Sequence, residues 1–253
     1  MRYALGLQYD GTQYYGYQSQ PGVITIQGCL DRALSRVADE RITSVCAGRT
    51  DAGVHATGQV VHFDTNAARE NHAWLLGVNS NLPDDISVSW VVPVPDDFHA
   101  RFHAIARRYR YTVYNAPNRM AMEQRYATWH RKPLDAEKMH HAAQYLLGQH
   151  DFTAFRSVGC QAKSAVRTVH EVSVKRDGLH VSLDIKANAF LYHMVRNIMG
   201  SLFLVGEGEQ PVEWLEAVLA GHDRAQAGVK APPNGLILSE ITYQDCDYLP
   251  SSL

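Results

Sequence analysis

Tyr3, Leu5, Leu7 and Tyr9 alternate with smaller or polar neighbours, and this period of two predicts a strand over residues 3–9 with one buried face. Asp10-Gly11 ends it. The next segment, Thr12-Gln13-Tyr14-Tyr15-Gly16-Tyr17-Gln18, is too aromatic for a plain linker. It can offer rings to stack on bases, or it can fold onto the core by its tyrosines, which is the plainer reading. Thr25 is placed to cap a helix whose Ile26, Leu30, Ala33, Leu34 and Val37 keep the 3.6-residue period. Short strands are predicted at 42–47 and 57–63, a helix at 71–82, and a strand through Ile86, Val88 and Trp90 that closes at Pro93 and Pro95.

In the strand predicted at 107–114, Tyr109, Tyr111 and Val113 share one face and Arg108, Arg110 and Thr112 the other. Residues 116–132 lack periodicity and read as an exposed connection between an N-terminal half, 1–115, and a C-terminal half, 116–253. A helix over 135–147 turns Met139, Ala142, Ala143, Leu146 and Leu147 inward and ends at Gly148. A hairpin follows, 169–175 and 181–186 about Asp177-Gly178. The most apolar helical stretch is 190–205, interrupted by Arg196 and Asn197; a guanidinium there must reach a partner or an edge. A helix at 214–219 and a strand at 236–243 complete the chain. No internal repeat is strong enough to indicate duplication.

With 253 residues, 45% of them hydrophobic, the chain can bury one large core or two ordinary ones. No stretch approaches the roughly 18 apolar residues of a membrane span, and the N-terminus begins a strand pattern, so an intracellular, cytoplasmic protein is expected. Cys29, Cys46, Cys160 and Cys246 are widely spaced and form no C-x-x-C, which points to reduced, buried thiols. Net charge is −2, but unevenly spread: residues 101–132 carry eight Lys/Arg against Glu123 alone, while residues 64–97 carry six acids against Arg69. One face for an anionic ligand fits this pattern; so do charges scattered over several solvated faces. His99 and His103 are four apart, yet His-Ala-Arg-Phe-His lacks the carboxylate of the zinc-protease motif, and His140-His141 reads as part of a solvated helix face.

The densest chemistry lies in Gly48-Arg49-Thr50-Asp51-Ala52-Gly53-Val54-His55. Glycines allow a tight turn and close approach to a ligand, and Arg49 can hold the Asp51 carboxylate ionised and oriented. An Asp-Ala-Gly surface turn accounts for the same residues without function.

Together with Arg107-Arg108-Tyr109-Arg110-Tyr111, Phe190-Leu191-Tyr192-His193-Met194-Val195-Arg196-Asn197, Tyr9-Asp10-Gly11 and Gly235-Leu236-Ile237-Leu238, this loop resembles the motifs of the tRNA pseudouridine synthase A (TruA) family, in the family's order along nearly the whole chain. Tyr17 departs from the family's usual Trp but keeps an aromatic surface. The resemblance implies an α+β pseudouridine synthase fold: two similar subdomains sharing an extended, mostly antiparallel sheet, with helices on one face and an RNA-binding cleft on the other. It implies isomerisation of uridine at positions 38, 39 and 40 of the tRNA anticodon stem-loop, a homodimer, no cofactor and no metal. By position, Asp51 matches the essential aspartate, Tyr109 the base-stacking tyrosine, Arg196 the aspartate's basic partner, and Arg49 an arginine that aids nucleotide extrusion. Arg107, Arg108 and Arg110 are candidates for tRNA phosphate contacts, and Val54 and Ile198 for an apolar wall. The residues leave open whether Asp51 attacks C6 or C1′ or removes the 2′ proton. Competing functions are a silent RNA-binding module and a nucleoside hydrolase, though the latter needs two cooperating carboxylates and no second acid stands out near the loop.

Overall fold

The computed structural model describes residues 1–250. The fold is mixed α+β, with a large, mostly antiparallel sheet and five α-helices among the described residues. The chain forms two compact units, residues 1–105 with the segment from Ile237 onward, and residues 106–236.

In the first unit, strands run β4 (Ile86–Val94), β1 (Arg2–Tyr9), β3 (His55–Asp64), β10 (Leu236–Tyr243), with β2 (Val45–Cys46) also on β3. β1 is antiparallel to both neighbours, whereas β10 lies parallel to β3 through Ile237↔His55 and Leu238↔Ala56. Helices α1 (Ile26–Ala38) and α2 (Asn71–Asn79) pack together, and α2 packs on β4. Thr25 caps α1, its Oγ1 accepting from Gly28 N at 3.2 Å. Leu5, Leu7, Leu30, Leu34, Phe63 and Trp74 are fully buried, each worth about 2 kcal/mol of burial.

The alternation in β1 predicts one buried face, but both are covered. A second cluster, Ala4, Val60, Val94, Phe98 and Ala100 with Trp90 and Tyr243, closes over the other side. Small residues between the large ones hid this face from the pattern. Pro93 lies inside β4, which a strand on the sheet's edge tolerates because no neighbour needs its missing N–H. The strand predicted at 42–47 shrinks to Val45–Cys46.

In the second unit, β5 (Ala104–Asn115), β9 (His180–Ala187), β8 (Val166–Asp177) and β7 (Gly148–Asp151) are antiparallel neighbours, and β6 (Thr128–His130) joins β5 in parallel. Helix α3 (Ala136–Gln144) packs on β8 and on α4 (Met194–Gly206); α5 (Trp214–Gly221) packs against α3. Tyr111, Val113, Leu183 and Ile185 are fully buried on one face, as the alternation predicts. β6 and β7 have no periodicity long enough to read from sequence, so β6 lay unseen in the predicted connection. α4 begins at Met194, not Phe190, because His193 takes a left-handed conformation (φ 61°) that stops the helix extending backward. The hairpin turn is Gly178-Leu179, one residue later than predicted. Of the histidine pair, His141 is exposed as expected, whereas His140 is half-buried, its Nδ1 accepting from Val174 N at 3.2 Å. No helix among the described residues is long and apolar enough to cross a membrane.

Candidate active site

Residues 48–54 link β2 to β3, and their backbone is fastened from below. Gln59, buried in β3, grips Gly48 twice: Gly48 N donates to Oε1 (3.2 Å), and Nε2 donates to Gly48 O (2.5 Å). The same amide donates to the Tyr9 hydroxyl at 3.4 Å. Tyr9 Oη and Thr50 Oγ1 share a buried hydrogen bond of 2.8 Å. Thr50 is held by its backbone too, since Tyr17 N donates to Thr50 O at 3.0 Å. Beyond Asp51, Val54 N donates to Asp51 O (3.1 Å) and Gly53 N to Tyr14 O (3.4 Å). Gly53 closes this turn with φ 76°, a left-handed conformation costly for other residues.

Thr50 is therefore buried, Asp51 half-buried, and Arg49 exposed at the head of the same loop. The groups beneath are neutral. Burial pushes the Cys46 thiol up to about 12, against the opposing charge of Arg49. Burial likewise raises the Tyr9 and Tyr17 phenols. The loop thus presents a carboxylate and a guanidinium above a floor that keeps its protons at neutral pH. The aromatic segment before it resolves the plainer way: Tyr14 and Tyr17 are buried and only Tyr15 faces outward.

In the second unit, Tyr109 sits on β5 with its ring edge-on to Phe190, centroids 4.9 Å apart. Arg196 occupies the first turn of α4 and is 8% exposed. It meets the segment before β10 in both directions, Nε donating to Ala231 O (2.8 Å) and Ala231 N donating to Arg196 O (3.1 Å). Its neighbour Asn197 is fully buried, donating to Phe155 O at 2.8 Å and accepting from Arg224 at 3.1 Å. The apolar helix accommodates these polar groups because each finds a partner. Burial, then the charges of Lys230, Arg196 and Arg224, pull His193 down to about 4, so the approach to α4 carries a neutral imidazole among cations at pH 7. Val54 and Ile198 are buried, each within its own unit.

The three arginines of β5 divide between faces. Arg107 shares the Tyr109 side by alternation and donates to Asn188 O at 2.9 Å. Arg108 and Arg110 point the opposite way. Arg108 bridges Asp184 (2.5 Å) and Glu171 (2.7 Å), and Arg110, more exposed, meets Asp184 at 3.2 Å.

Tyr9, Gln59 and Phe190 were not singled out for this site from the sequence. Tyr9 and Phe190 stand inside motifs already noticed, so a signal existed. Gln59 gave none, being one polar residue in a strand.

A family model described as tRNA pseudouridine synthase matches residues 7–103 and 142–244, and the chain belongs to that family. Among its relatives, proteins named tRNA pseudouridine synthase A from Shewanella piezotolerans and Shewanella halifaxensis are 56% and 58% identical over 250 residues, covering 99% of this chain and 96% of each relative. A solved chain from the crystal structure of a Cbf5-Nop10-Gar1 complex aligns over 93% of this chain and 48% of its own, with 10% identity and a TM-score of 0.34.

Proposed function

We propose that this protein isomerises uridine to pseudouridine in tRNA, at positions 38, 39 and 40 of the anticodon stem-loop, with Asp51 as the essential carboxylate. The observation that carries this reading is the loop itself: Asp51 is half-buried, held on both sides by backbone hydrogen bonds, with exposed Arg49 two residues before it. Membership of the family supplies the reaction class, and names of the relatives supply tRNA as substrate.

The reaction breaks the bond from C1′ to N1 and forms one from C1′ to C5. N1 gains a proton and C5 loses one, so the sum is redox-neutral and needs no external group. A carboxylate placed in a partly desolvated loop can serve as nucleophile or base, and in either role it must be ionised. The uridine must leave its stack, at a cost of a few kcal/mol, which phosphate contacts and stacking on Tyr109 offset. In this reading Arg49, exposed at the head of the loop, assists extrusion, and Arg196 is the basic partner of the carboxylate. Phosphate contacts fall first to Arg107 and Arg110, because Arg108 is engaged by two carboxylates. The enzyme is further proposed to act as a cytoplasmic homodimer.

Tritium release from 5-labelled uridine in tRNA tests the assignment. The synthase releases tritium without free uracil, a hydrolase frees uracil, and a binding module does neither. Asp51→Asn is expected to abolish release while tRNA affinity stays within about twofold, since uncatalysed chemistry leaves binding intact. Appreciable turnover by that variant would overturn the role given to Asp51.

A further inference from the structure

Two features of the first unit have no place in the chemistry above: a tyrosine hydroxyl buried beneath the loop, and a glutamine in mid-strand whose amide bonds both backbone groups of Gly48 and the same tyrosine hydroxyl. We propose that Tyr9, with Gln59, is a positioning residue for Asp51, acting through the side chain of Thr50. The proposal rests on the catalytic reading of Asp51.

Hydrogen bonds chain from β3 to β1 and on to the loop. Gln59 fixes Gly48 from both of its backbone groups and touches Tyr9 Oη; Tyr9 Oη holds Thr50 Oγ1 at 2.8 Å. Thr50 is 7% exposed and Tyr9 4%, so these groups cannot exchange their partners for water. The residue immediately before Asp51 is therefore gripped by side chain and by carbonyl, the latter from Tyr17 N. A loop secured only through its own turn, Val54 N to Asp51 O, could still pivot as a body about its ends. The Thr50 grip, together with the hold of Gln59 on Gly48, removes that freedom. Burial raises the Tyr9 phenol, so the hydroxyl keeps its proton and exchanges none with substrate. Its effect is one of orientation, and small misplacements of reacting groups cost rate steeply.

Tyr9→Phe keeps the ring and removes the hydroxyl; Thr50→Val removes the other end of the same bond, and Thr50→Ser restores it. Single-turnover tritium release at saturating enzyme and tRNA affinity by filter binding are measured for all three. The expected result is a fall of about tenfold or more in the chemical step for Tyr9→Phe and Thr50→Val, unchanged affinity, near wild-type rate for Thr50→Ser, and a double variant no slower than the slower single one. A merely structural tyrosine gives a lower melting temperature with an unchanged rate in the folded fraction, and that outcome overturns the proposal. So do multiplicative losses in the double variant. If Tyr9→Phe does not fold, the Thr50→Val and Thr50→Ser pair decides alone. Asp51→Asn is run beside them. If it is inactive while Tyr9→Phe and Thr50→Val match wild type, only the positioning role fails; if it turns over, both readings fall.

Discussion

Replacing Gly16 with alanine separates what the loop needs for stability from what it needs for catalysis. Gly16 has φ +87°, and a Cβ built there would stand 2.9 Å from Thr50 O, 3.2 Å from Ala52 N and 3.3 Å from Asp51 C. All three are backbone atoms of the candidate catalytic loop, so relief requires moving the loop itself. The left-handed conformation costs alanine about 1 to 2 kcal/mol, and overpacking adds about 1 to 2 more. Reduced freedom of the unfolded chain returns roughly 0.4 to 1 kcal/mol, leaving a net loss of about 2 kcal/mol. Gly22 provides the control, since its φ is +79° but nothing lies within 4 Å of the added carbon. Gly22→Ala should lose about 1 kcal/mol or less and keep full activity. Gly16→Ala should lose more stability and, with the Asp51 backbone displaced by a few tenths of an ångström, at least about tenfold in single-turnover rate. Urea unfolding and tritium release on both variants make the comparison. Equal stability loss and equal rate in the two would refute the claim that Gly16 sets the loop.

Further outcomes are expected elsewhere. Tyr109→Phe should retain most activity, whereas Tyr109→Ala should lose stacking and also about 3 kcal/mol of stability, because the ring is 8% exposed against Phe190; equal rates for the two, each corrected for the folded fraction, would argue against stacking. Burial, then the neighbouring charges of His99 and Arg2, lower His62 to about 4, while its Nδ1 accepts from Ala100 N at 3.1 Å. The unfolded chain takes up this proton near pH 6.5 and the folded one does not, so stability should be complete above pH 6.5 and fall as pH drops toward 4, by on the order of 2 kcal/mol. His62→Gln should flatten that part of the pH profile of urea midpoints, and a profile parallel to wild type would remove His62 as its cause. Arg110→Ala should reduce the slope of log affinity for tRNA against log salt by about 0.7 to 0.9, the signature of one lost phosphate contact; an unchanged slope would place that contact on other residues.

Most helices and strands could be read from the sequence because their signals are local: the Thr25 cap, the period-two rows of β5 and β9, and the terminal strand at 236–243 lie within a few residues of the groups that fix them. The loop at 48–55 was visible for the same reason, its glycines, arginine and aspartate being adjacent in the chain. What the tertiary structure alone decided was the environment of those residues. Whether the tyrosines before the loop stack outward or fold inward depends on Thr50 O and Asp85, which no spacing in residues 12–18 encodes. That Gln59 anchors Gly48, that β10 lies parallel to β3 at His55, and that Arg108 meets Asp184 while Arg107 donates to Asn188 O, all follow from register between distant strands. Local backbone preference is written in neighbouring residues. Partner choice across a sheet is settled only when the whole chain has packed.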